Sequence, residues 1–144
     1  KSVHAHVIGE HGDSEVVLWS SAKIGTLPIK EWKNWEGSFY SEVAEKVKKA
    51  AHEIIRRKGA TNHAIGLVTA TLLKWLLRGD RRITTVSSVL NGAYGLRDVA
   101  LSVPTLIGAK GIEEIIPIRI SEEEQALLNH SAQILKNAIR SVKT

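Results

Sequence analysis

His11 stands between glycines in the string Gly9-Glu10-His11-Gly12-Asp13-Ser14. Histidine is the side chain whose ordinary pKa lies near neutrality, so it is the default group for giving and taking protons. The flanking glycines permit backbone geometries that other residues resist and would let a small substrate come close. Residue type and loop context alone leave the ordinary alternative open, a histidine that is structural or merely exposed. His4 and His6 fall on one face of a strand by period two, and with His11 they invite a zinc reading. No carboxylate or cysteine ligand shows the required spacing, so no metal is expected. The chain has no cysteine, which closes off thiol catalysis and any disulfide framework and fits a reducing compartment. A strand running into G-x-G-x-x-G at a helix start does not occur, so no pyrophosphate cradle of the usual kind is expected in this chain.

The elements that must carry His11 are legible in outline. Val3–Gly9 reads as a strand leading into the histidine loop, and Val16–Trp19 as a further apolar run. Lys23–Ile29 reads as a short extended piece ended by Pro28. A helix is predicted from near Ser41, a plausible N-cap, to Arg57. Val43, Val47, Ala50, Ala51, Ile54 and Ile55 form its apolar stripe, and Glu42/Lys46 and Glu45/Lys49 pair on its outer face. Lys58-Gly59-Ala60-Thr61 interrupts the pattern. A second helix is predicted from about Thr61 to Leu77, with Ile65, Val68, Leu72 and Leu76 along one side and Gly79 as its stop. Ile83–Leu90 is rich in β-formers, and Asn91-Gly92 signals a turn. Val99–Val103 alternates and should close at Pro104, with β character resuming over Leu106–Ile107 and Ile112–Ile120. Ser121 and Glu124 make a capping box for a last helix. Its inner face should carry Leu127, Leu128, Ser131, Ile134, Leu135, Ala138 and Val142. Helices and strands are segregated rather than alternating, so the fold class expected is α+β, long helices packed on antiparallel sheet.

A chain of 144 residues suits one domain, here expected to span 1–144, and can bury roughly 70% of its unfolded surface. Apolar residues at 43% and charged residues at 24% are ordinary for a globular protein. No apolar run approaches the ~18 residues of a membrane span, so a soluble protein without membrane partners is expected. The net charge of +5 is spread over scattered basic residues, with short clusters at Arg56-Arg57-Lys58 and Arg78–Arg82. Basic residues do not interleave with aromatics, so nucleic acid is not an expected partner. Arg78-Gly79-Asp80 spells an adhesion tripeptide but is better explained as a helix end followed by a turn. The chain contains no methionine and nothing like a signal peptide, and it is expected to be a segment of a longer translation product.

The string Val7-Ile8-Gly9-Glu10-His11-Gly12-Asp13-Ser14, continued by Val17-Leu18-Trp19-Ser20, resembles the active-site segment of L-lactate dehydrogenases. Lys58-Gly59-Ala60-Thr61 with Ala64-Ile65-Gly66, Tyr94-Gly95, Asp98-Val99, Ser102-Val103-Pro104 and Gly111-Ile112 are similar to later family motifs, in the family's order. Ser121 through Leu135 looks like its final helix. The resemblance covers essentially the whole chain and implies the C-terminal substrate-binding and catalytic domain of the lactate/malate dehydrogenase family. It implies that His11 hydrogen-bonds the keto oxygen of pyruvate as an imidazolium and gives up its proton as NADH delivers hydride to the carbonyl carbon. It further implies that Thr61 lines the substrate pocket and that Ile65 packs on the nicotinamide ring of NAD. On the residues alone, Thr61 is equally a helix N-cap and Ile65 is plain helix core. His4 matches a histidine that helps bind fructose 1,6-bisphosphate at a subunit interface in some bacterial members. One histidine cannot hold a bisphosphate without further cations.

The same resemblance implies a cytoplasmic enzyme of glycolysis and fermentation acting as a homo-oligomer, a dimer or homotetramer. It implies that the N-terminal half of the parent protein supplies the NAD site. That half would also hold the carboxylate that orients the histidine and the arginines that clamp and polarise the substrate. This chain alone is therefore expected to be inactive and to self-associate through its bared inter-domain face. The alternatives are a malate dehydrogenase of the same family and a non-catalytic folding or assembly module. Glu10 before His11, and Lys58-Gly59-Ala60-Thr61, look more like the lactate group.

Overall fold

A computed structural model describes residues 2–33 and 35–142. The chain opens with five very short strands, β1 (Val3–His4), β2 (Val7–Ile8), β3 (Val16–Val17), β4 (Lys23–Ile24) and β5 (Leu27–Pro28). β1, β4 and β5 form one antiparallel sheet, and β2 pairs with β3, Val7 opposite Val17 and Ile8 opposite Val16. The strand expected over Val3–Gly9 is therefore two strands in two sheets, because the chain changes partners after His4. His4 lies opposite Lys23, whereas His6 belongs to neither strand and its Nδ1 sits 3.3 Å from the Thr85 hydroxyl. The two histidines thus do not share a strand face. Among the described residues, no three histidine, cysteine or carboxylate side chains gather as a metal site would need. The extended piece expected over Lys23–Ile29 is instead a hairpin that turns at Gly25, where φ is +63°.

Two long helices follow, α1 (Ser38–Lys58) and α2 (Asn62–Arg78). Ser41 does not cap α1: Gly37 holds the N-cap position, and the Ser41 hydroxyl donates to the Ser38 carbonyl inside the first turn. Aromatic packing extends the helix backwards from Ser41. Tyr40 meets Trp19 edge-on at 5.0 Å between ring centres, and Phe39 lies 5.8 Å from Trp35. Gly59 and Gly79 stop the helices in left-handed geometry, with φ of +84° and +70°. Both apolar stripes have helical period, yet neither helix has a buried residue. Ile54 is 40% exposed and Val68 65%.

The central sheet is a meander of β6 (Arg82–Asn91), β7 (Arg97–Gly108) and β8 (Gly111–Ile115). Val99, Leu101 and Val103 alternate into the core, where they meet Ile8, Val16, Leu18, Leu90 and Leu128. Pro104 does not close the strand as expected; β7 runs through it, opposite Thr85. The ladder tolerates the missing donor because β8 ends at Ile115. Ile116 donates to the Pro104 carbonyl at 2.8 Å, and Pro104 has no N–H to return. The β character expected as far as Ile120 accordingly stops at Ile115.

The last helix, α3 (Glu122–Val142), lies across β7 and β3. Its capping box forms as expected, with the Ser121 amide donating to the Glu124 carboxylate at 2.8 Å and the Glu124 amide to the Ser121 hydroxyl at 3.2 Å. The buried seam is narrower than the predicted stripe: Glu124, Leu128, Ser131 and Ala132. Leu127, Ile134 and Val142 are exposed. Small residues at 131 and 132 let the helix come close to the strands, and that leaves the outer half of the stripe uncovered. The expected α+β arrangement of helices on antiparallel sheet holds throughout. Among the described residues, no helix is long and apolar enough to cross a membrane.

Candidate active site

The histidine loop leaves the core at Ile8, which is 1% exposed. Gly9 then forms a two-way bridge to Ser102 of β7, each amide donating to the other's carbonyl at 2.9 Å. Gly9 adopts φ +98°, a conformation that residues with a Cβ rarely take. From the opposite side, the Glu10 amide donates to the Ser131 hydroxyl of α3 at 2.7 Å. The Ser14 hydroxyl hydrogen-bonds the Glu10 carboxylate and lies 3.3 Å from Ser131 Oγ. The loop is thus held between a strand and a helix, with an exposed His11 at its tip.

His11 rims a cavity of about 220 Å³ whose walls include Glu10, Glu15, Val47, Thr85 and Ser102. One carboxylate oxygen of Glu15 is buried with no hydrogen-bond partner among the described residues. A cleft of this size takes a molecule of a few heavy atoms beside the imidazole. Thr61 and Ile65 do not line it. They lie at the start of α2. Thr61 occupies the N-cap position with φ −99° and ψ 7°, but its side chain makes no capping hydrogen bond. Its carbonyl accepts the Ile65 amide at 3.3 Å. Ile65 is 58% exposed, so the plain-core reading of that residue fails. His4 is exposed on the separate β1–β4–β5 sheet. His6 is held below the ordinary histidine range, first by burial and then by the neighbouring charge of His4.

Glu124 is buried in the core along with the polar residues Ser131 and Thr105. Burial pushes its carboxyl up, but hydrogen bonds from the Ser20 hydroxyl and amide and from the Ser121 and Trp19 amides outweigh that and hold it below the ordinary value. Together Glu124 and Ser131 tie α3 to the segment that carries the histidine.

Reading the residues singled out His11 as a candidate, which the structure places on the rim of this cavity, but assigned no role to Ser131, Ser102 or Thr85. Ser131 left one trace in the sequence. It is a hydroxyl on the inner face of an otherwise apolar stripe, and a buried polar atom must find a partner. Ser102 fell within a family-like motif and Thr85 in none, and nothing local placed either beside the loop, because only the pairing of distant strands brings them there.

Residues 1–144 match, over the whole chain, the family described as lactate/malate dehydrogenase, alpha/beta C-terminal domain. An L-lactate dehydrogenase of Synechococcus sp. (strain JA-3-3Ab) is 44% identical over 99% of this chain and 47% of its own length. One from Kosmotoga olearia is 42% identical over 99% of this chain and 46% of its own length. Among solved structures, the minor L-lactate dehydrogenase of Enterococcus mundtii in its ligands-bound form superposes with a TM-score of 0.93 at 39% identity, over 98% of this chain and 46% of that one. The malate dehydrogenase of Salinibacter ruber gives 0.90 at 29% identity, over 99% and 46%. The chain spans about half the length of the curated relatives it matches.

Proposed function

The chain belongs to the lactate/malate dehydrogenase family, as its alpha/beta C-terminal domain, and on that premise we propose that it is the catalytic half of an NAD-dependent L-lactate dehydrogenase. His11 is the general acid and base. As an imidazolium it hydrogen-bonds the keto oxygen of pyruvate and passes its proton there as the carbonyl is reduced; in the reverse direction it takes the hydroxyl proton of lactate. The observation that carries this reading is the placement of His11, exposed at the tip of a loop braced on both sides and rimming a cleft of small-molecule size. A proton donor works only if it is held within hydrogen-bond reach of its acceptor, and a braced loop with a free tip meets that need.

NADH, when bound, supplies hydride to the carbonyl carbon. Among the described residues, one point fits that cofactor on this reading. Ile65 offers an exposed apolar surface against which a nicotinamide ring can pack and exclude water. No glycine-rich turn opens a helix here, so the pyrophosphate and the adenine end belong to the N-terminal half of the parent protein. Thr61, whose hydroxyl caps nothing, lines the substrate pocket once that half is in place. On the same reading the parent is a cytoplasmic homo-oligomer, a dimer or tetramer. His4, opposite Lys23 on an exposed sheet, is the site where fructose 1,6-bisphosphate would be held, with further cations from a second subunit.

Lactate is favoured over malate because the relatives at 42–44% identity carry the lactate name, whereas the malate dehydrogenase structure is 29% identical. The test is a kinetic comparison of pyruvate and oxaloacetate with the complete polypeptide encoded with this chain, repeated with His11→Asn. Preference for pyruvate and a loss of ~10²-fold or more in kcat on substitution are expected. Undiminished turnover by the variant would overturn the assignment of His11, and preference for oxaloacetate would move the protein to the malate branch.

A further inference from the structure

We propose that Ser131 is a positioning residue for His11, holding the catalytic loop from a helix more than a hundred residues further along the chain. The inference rests on the proposed role of His11 and adds a device for orienting it. Two hydrogen-bond contacts and one bare glycine converge on one hydroxyl. The Glu10 amide, immediately before His11, donates to Ser131 Oγ at 2.7 Å. The Ser14 hydroxyl, three residues after His11, lies 3.3 Å from the same oxygen and also hydrogen-bonds the Glu10 carboxylate. Gly9 presents a bare α-carbon to it: a Cβ built there would stand 2.8 Å from Ser131 Oγ. Both ends of the loop are thus fastened to one point while the His11 side chain stays exposed.

Ser131 is 0% exposed, and its neighbour Ala132 is 2% exposed. A hydroxyl in that seam is costly unless bonded, and here its partner is the part-buried backbone amide of Glu10. The helix that carries Ser131 cannot slide easily, because Glu124, seven residues earlier, holds Ser20 through both amide and hydroxyl. Leu128, at 0% exposure, packs between the two ties. α3 is therefore a rigid backstop. With Ser102 holding Gly9 from β7, it leaves the loop one way to lie. Orientation errors of about an ångström in a catalytic group cost on the order of 10²-fold in rate, so a brace of this kind acts on turnover.

The test uses the complete polypeptide encoded with this chain and compares Ser131→Ala, Ser131→Cys and Ala132→Gly. Cysteine nearly keeps the volume but is a weak acceptor, so it separates the hydrogen bond from the packing. Ala132→Gly loosens the same helix seam and leaves the hydroxyl in place. We expect both Ser131 variants to lose about 10- to 100-fold in kcat for pyruvate reduction, with KM for pyruvate held within about three-fold. Ala132→Gly should lower the melting temperature and keep kcat. Amide exchange of the Glu10 N–H should accelerate at least ten-fold in both Ser131 variants, with protection in β7 unchanged. The proposal is overturned if the Ser131 variants keep wild-type kcat, or if Ala132→Gly loses as much as they do. Should the unsubstituted polypeptide reduce neither pyruvate nor oxaloacetate, the function reading falls. Exchange at Glu10 then decides the brace by itself, faster exchange upholding it and unchanged exchange refuting it.

Discussion

The Glu124 carboxylate accepts the Ser20 amide at 2.9 Å and takes the Ser20 hydroxyl as well, joining the first turn of α3 to the chain just beyond β3. Its hydrogen bonds hold its pKa below the ordinary carboxylate value. A carboxylate lowered in this way stabilises the fold fully above its unfolded pKa, and the contribution is lost as pH falls through the folded one. Glu124→Gln should therefore cost about 1–3 kcal/mol at neutral pH. The gap to the parent should close in acid, below the ordinary carboxylate range. Denaturant titrations from pH 7 down to acid check this. A gap that stays constant with pH would mean that the charge contributes nothing.

Gly9→Ala tests the loop from the other side. The substitution asks alanine to adopt φ +98° and brings a methyl within 2.8 Å of Ser131 Oγ, a buried oxygen with nowhere to retreat. A loss of about 1–3 kcal/mol is expected from backbone strain alone. Melting and chemical denaturation of the variant measure it. Full stability would show that the loop can flip to another geometry.

Ile65 gives the opposite expectation. At 58% exposure it adds little to the fold of this chain, so Ile65→Ser should change its stability by less than about 0.5 kcal/mol. In the complete polypeptide the same change should raise KM for NADH or lower kcat by several-fold. Steady-state kinetics with varied NADH would expose an Ile65 that does not face the cofactor.

The 144-residue chain on its own should reduce no pyruvate, and it should self-associate. Leu67 at 71% and Leu77 at 85% exposure lie on a helix without a single buried residue. Sedimentation at tens of micromolar should find dimers or larger species. A clean monomer, or turnover near that of an intact dehydrogenase, would contradict the expectation.

Local chemistry made much of this protein legible in advance. Ser121 and Glu124 announce the start of α3 because a capping box needs only four consecutive residues. Gly59 and Gly79 announce helix ends because left-handed geometry excludes most side chains. The segregation of helical and strand patterns gave the α+β class, and the ordered motifs from His11 to the last helix pointed to the family. What could not be read were consequences of distance. Ser41 looked like a helix start until Trp19 and Trp35 drew the preceding turn into the helix. Pro104 looked like a strand end, and only the length of β8 shows that its missing donor costs nothing there. The stripes on α1 and α2 have the right period for burial, but period says which residues share a face, not whether anything covers it. Residue type marked His11 as a candidate for proton transfer and left a structural role open. Its bracing by Ser131 and Ser102 came only with tertiary structure, because a hydrogen bond forms between atoms that folding brings within 3 Å, whatever their separation along the chain.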